Sequence, residues 1–160
     1  MNLLKSLCIV LALAALAPSY LVHAQDALVG SWVLDPAKNQ GSPGAVPTAG
    51  TATVTAAGGG RYTSASEVSV GGVTGRSEIT YSVDGKDYAV TMTPAQPGAA
   101  ITQSMERISD TVWRSNLKLN GQLMATVMTE VSRDGKTLTQ TTTGLGQFAA
   151  LSSTVVFQRK

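Results

Sequence analysis

Arg61-Tyr62-Thr63-Ser64-Ala65-Ser66-Glu67-Val68-Ser69-Val70-Gly71-Gly72-Val73-Thr74-Gly75-Arg76-Ser77-Glu78-Ile79-Thr80-Tyr81 decides the fold of this chain. Two runs rich in β-branched residues flank a Gly-Gly pair, the pattern of a hairpin with a two-residue turn. With Val70 opposite Val73, Tyr62 faces Tyr81, Ser64 faces Ile79 and Val68 faces Gly75 on one side. On the other side Glu67 faces Arg76. Opposite charges then meet outside and aromatics inside, the arrangement cross-strand energetics prefer. A slip of one residue would mix the two faces.

The same reading extends in both directions. A two-residue turn at Asp84-Gly85 sets Tyr81 against Tyr88, Ile79 against Val90 and Ser77 against Met92. Three tyrosines then share one inner row. A three-residue turn at Ile108-Ser109-Asp110 puts Met105 near Trp113 and Gln103 near Ser115. A three-residue loop Leu119-Asn120-Gly121 sets Leu117 against Leu123 and Trp113 against Val127, keeping the apolar faces together. A turn at Asp134-Gly135 sets Val131 against Leu138. Similar runs cover Leu28–Leu34, Thr51–Ala57 and Leu151–Arg159. Between the first two, the Pro- and Gly-rich stretch Pro36–Gly50 reads as a long loop.

About ten sequential hairpin strands can bury one face only by curling, and closure removes the exposed sheet edges. The expected fold is all-β, an antiparallel meander β-barrel of about 8–10 strands. A two-sheet sandwich is the rival, since the same alternation serves both.

Met1 to Ala24 has a basic start, an apolar run from Leu7 to Ala17 and Val22-His23-Ala24, a small-x-small cleavage pattern. It reads as a Sec-type signal peptide, too short to span a membrane stably. Export to the periplasm or cell exterior is expected, with residues 25–160 forming a single domain and no stable membrane anchor. The sole cysteine, Cys8, and the sole histidine, His23, lie in this leader. What remains lacks a Ser-His-Asp triad, a Cys-His pair and the usual zinc or haem ligands. No enzyme activity, metal or cofactor is expected. Without Lys5, eleven Lys plus Arg stand against ten Asp plus Glu, and no basic run exists to track phosphates. Nucleic acid is therefore not an expected partner.

Gly30-Ser31-Trp32 on the first strand, with Arg159 ending the last run, resembles the calycin signature of lipocalins and fatty-acid-binding proteins. Gly30–Lys38 and Ser132–Thr139 are also similar to stretches of secreted bacterial proteins described as lipocalin-like. The resemblance implies that Trp32 closes one end of a barrel and that Arg159 packs across its indole. The second lipocalin motif and the R-x-Y carboxylate clamp of fatty-acid-binding proteins are missing from this sequence.

A barrel of this size can hold a small ligand. Tyr62, Tyr81 and Tyr88 either line a pocket with orienting hydroxyls or fill a core. Trp113, Met105 and Met92 either form an adaptable apolar wall or simply pack. Ile79 and Gln103 share the inner face. Arg107 either meets a ligand carboxylate at the mouth or stays solvated beside the Ser109-Asp110 turn. The expected function is binding of a small, largely apolar ligand within the barrel. The alternative is a protein–protein module, an inhibitor or envelope-associated partner, with a solid core and Pro36–Gly50 as contact surface. A cavity of several hundred cubic ångströms separates the two.

Overall fold

The computed structural model describes residues 26–42 and 46–160. The signal-peptide reading, with Cys8 and His23, lies outside these residues. The strands are β1 (Gly30–Leu34), β2 (Gln40–Gly41), β3 (Ala49–Gly58), β4 (Arg61–Val70), β5 (Val73–Ser82), β6 (Tyr88–Ala89), β7 (Thr91–Thr93), β8 (Ile101–Arg107), β9 (Val112–Leu119), β10 (Gln122–Val131), β11 (Thr137–Gly144) and β12 (Ser153–Arg159). All pair antiparallel in one sheet, in the order β6-β8-β9-β10-β11-β12-β1-β3-β4-β5-β7, with β2 added to β12. The sheet is a nearly closed meander barrel, consistent with a calycin-like fold. The Pro36–Gly50 stretch is not wholly a loop: it holds a 3₁₀ turn at Pro36–Lys38, the short β2 and the start of β3.

Closure happens in one extended segment. β6 pairs with β8 through Tyr88 opposite Gln103, and β7 pairs with β5 through Ser77 opposite Met92. The two ends of the sheet thus meet either side of Val90. The tight hairpin expected at Asp84-Gly85 does not form. Gly85 N–H donates instead to the Met105 carbonyl at 3.0 Å, and Asp84 accepts from the Lys86 N–H and the Tyr88 hydroxyl. These bonds draw the chain toward β8. Tyr88 therefore does not pair with Tyr81, and a seam separates that half of β5 from β6.

The β4–β5 hairpin has the register read from the sequence, including Tyr62 opposite Tyr81, Glu67 opposite Arg76 and Val70 opposite Val73. Val131 opposite Leu138 also holds. Two registers differ. In β8–β9, Met105 pairs with Ser115 and Arg107 with Trp113, because the turn is centred one residue later than expected, with the Ile108 and Ser109 N–H groups both donating to the Val112 carbonyl. In β9–β10, Leu119 pairs with Gln122 across the two-residue turn Asn120-Gly121, both at positive φ. The faces are then reconciled by a bulge: the register steps between Leu123 and Ala125, giving Ala125 opposite Leu117 and Val127 opposite Ser115. One extra residue restores the apolar parity that a longer loop was expected to supply.

The core sits at the end where β1 begins. Leu28, Trp32, Tyr81, Trp113, Val131 and Phe157 are all nearly inaccessible.

Candidate functional site

Above this core the barrel encloses a cavity of about 380 Å³. Its floor is Leu28, Trp32, Tyr81, Met105, Leu138 and Phe157. Mid-strand positions add Ser64, Ser66, Ser77, Ile79, Gln103 and Gln140. Toward the opposite end the wall is Val68, Met92, Ile101, Leu117, Met124 and Thr142. Floor residues are buried, whereas all six of the last group are half-exposed. The cavity therefore opens at the end carrying the Gly71-Gly72 and Asn120-Gly121 turns.

The closed end is built around Arg159. β1 and β12 pair with Trp32 opposite Arg159, and the guanidinium lies 4.2 Å from the Trp32 ring centroid. Its Nη1 and Nη2 donate to the carbonyls of Val29 and Ala27 at 2.8 and 2.7 Å, and its Nε donates to the Gly135 carbonyl. Trp32 Nε1 donates to the Leu28 carbonyl at 3.1 Å. Residues 27–29 are thus strapped over the base, and Leu28 points up as part of the cavity floor. Gly30 is needed here because a Cβ would stand 2.2 Å from Arg159 Nη1.

The tyrosines serve the same end. Tyr62 and Tyr81 stack with centroids 5.8 Å apart. The Tyr62 hydroxyl donates to Asp26 Oδ2 at 2.7 Å, which raises its pKa above the ordinary phenol value. Burial raises that of Tyr81 much further, with the Asp26 charge adding to the effect. Asp26 also takes the Leu28 N–H, so Tyr62 anchors the strap rather than facing a ligand.

Of the residues singled out in the sequence, Ile79, Tyr81, Met92, Gln103 and Met105 line the cavity. Tyr62, Tyr88, Trp113 and Arg107 do not. Trp113 is fully buried beneath the floor, and its indole N–H has no partner among the described residues. Arg107 is not at the mouth: it lies at the closed end, 5.7 Å from the Trp113 ring centroid, bonded to Ser109 and Asp110. It is the last residue of β8, at the end of the β8–β9 hairpin opposite the Asn120-Gly121 turn. Ser115 accepts from Gln103 Nε2 at 3.2 Å and donates to Met105 Sδ at 3.1 Å, tying the β8–β9 wall together.

Sequence reasoning missed Leu28, Ser66, Thr129, Gln140 and Thr142. The last two were within reach: they alternate with outward threonines on β11, on the same face as Leu138. Among the described residues no three acidic, Cys or His side chains gather as metal ligands. No helix there is long and apolar enough to cross a membrane. No protein-family model matches the chain, and no curated protein is significantly similar to it.

Proposed function

We propose that this is an exported, lipocalin-like binding protein that carries a small, largely apolar molecule in its barrel. The reading rests chiefly on the cavity of about 380 Å³, half-open at one end and sealed at the other. That volume lies within the range of small-molecule sites, and its wall mixes many apolar groups with a few hydroxyls and amides, as such sites do. This space supports the carrier reading over the protein–protein alternative, for which a solid core was expected.

The test is entry of Nile red, a neutral fluorescent probe, into the purified protein and its Ile79→Trp variant. Ile79 is buried on the cavity wall, and an indole there would occupy the space a ligand needs. Probe binding should vanish in the variant while stability stays within about 1 kcal/mol, below the 1–3 kcal/mol typical of over-packing a filled core. A parent protein that binds no probe, with a variant that loses stability, would overturn the carrier reading. Native mass spectrometry of protein from its own host should reveal a retained small molecule.

A further inference from the structure

The chemistry of the wall narrows the ligand further, given the carrier reading above. Among the described residues, every side chain lining the cavity is uncharged. The two arginines nearest the core are committed elsewhere. Arg159 caps three backbone carbonyls beneath Trp32, and Arg107 holds the Ser109-Asp110 turn. A carboxylate drawn into this space would lose water and find no counter-charge, the most unfavourable transfer a small ligand can make.

The wall is not plain hydrocarbon, however. Ser66 and Ser77 share a hydrogen bond of 2.8 Å, and Gln103 and Ser115 share one of 3.2 Å, so these two pairs are occupied with each other. Among the described residues, Ser64, Thr129, Gln140 and Thr142 also line the cavity and are not taken up in such a pair; of these, Gln140 and Thr142 lie together on the cavity face of β11 and include the one amide. An amide offers both donor and acceptor, and so does a hydroxyl. Together they can receive an alcohol, an ester or an amide, but they cannot neutralise a charge. We infer that the ligand is an electrically neutral amphiphile, a fatty alcohol or acyl ester rather than an ionised fatty acid, with its polar group received by Gln140 and Thr142.

Displacement of Nile red by 1-decanol, methyl decanoate and decanoate tests this, at a pH well above the carboxylate range. Decanol and the ester should displace the probe at concentrations at least about tenfold below decanoate. Lower water solubility favours the neutral compounds in any apolar pocket, so a second arm is needed. Gln140→Leu should weaken decanol about tenfold relative to Nile red, and Gln140→Lys should turn the preference toward decanoate. The near-isosteric Gln140→Met repeats the first comparison if the Leu variant folds poorly. Decanoate binding as tightly as decanol in the parent, or decanol binding that ignores Gln140, would overturn the neutral-ligand inference while leaving the carrier reading intact. A parent that binds neither Nile red nor any of the three would overturn the carrier reading itself.

Discussion

Arg159 shows how one side chain can define an end of a barrel. It contributes a cation over an indole and three bonds to backbone carbonyls at the base of the barrel. Arg159→Ala should cost about 2–4 kcal/mol, since charge-assisted bonds and a cation–π contact are lost together. Gly30→Ala should cost about 1–3 kcal/mol by pushing a methyl group into the guanidinium. Urea midpoints measure both, and in the double variant the two losses should be less than additive, because they damage one contact. The tyrosines make a separate test at high pH. Tyr81 is held neutral in the folded state well past the value near 10 at which an unfolded tyrosine ionises. Stability from this difference is complete below that value and is lost as pH rises through the folded pKa. Denaturation followed up the alkaline range should therefore show a falling limb that Tyr81→Phe flattens.

At the scale of elements, turns decide what a strand can show. Asn120-Gly121 has both residues at positive φ, the geometry that two-residue hairpins require. Nothing lies within 4 Å of a Cβ built on Gly121, so Gly121→Ala tests backbone conformation alone. It should destabilise by about 1 kcal/mol in thermal or urea unfolding. The β4–β5 pairing was readable because Gly71-Gly72 leaves one sensible turn and Glu67 and Arg76 permit one register. The β9–β10 bulge was not readable. A bulge and a longer loop both repair parity, and nothing in Leu119–Met124 distinguishes them. The Ile108–Asp110 turn failed for a related reason: the same turn centred one residue later keeps the parity but shifts the β8–β9 pairing by two. The cavity followed the same rule. Ile79 was recognised through the clear β4–β5 hairpin, whereas Met92, Gln103 and Met105 were recognised because their face parity survives a missing turn or a shift of two residues. Tyr88 was misplaced where a single turn went elsewhere, and Arg107 takes the turn-side place that the sequence left open rather than the mouth.

At the scale of the whole molecule, Leu28 belongs to two systems at once. It is buried in the core and forms part of the cavity floor. Leu28→Ala should lower stability by about 2–4 kcal/mol, as large-to-small core changes do. It should also deepen the cavity, so that the longest neutral chain accepted in a displacement series grows by one or two carbons. Loss of stability without any shift in preferred chain length would mean that ligands do not reach the floor. Saturating ligand should raise the melting temperature of the parent protein by mass action.

The strap at the base has a consequence in time as well as in space. Arg159 reaches Ala27 across 132 positions of sequence, and β1 pairs with β12 only when nearly the whole chain is present. Closing so large a loop costs more configurational entropy than forming any hairpin between neighbours. The hairpins can therefore form first, and the circle closes last. Refolding should be slow for a protein of this size, in the millisecond-to-second range of topologies dominated by distant pairings. Interactions made after the rate-limiting step affect escape from the native state, not arrival. Stopped-flow measurements on Arg159→Ala should accordingly show much faster unfolding and almost unchanged refolding. A comparable slowing of refolding would mean that the ends of the chain find each other early.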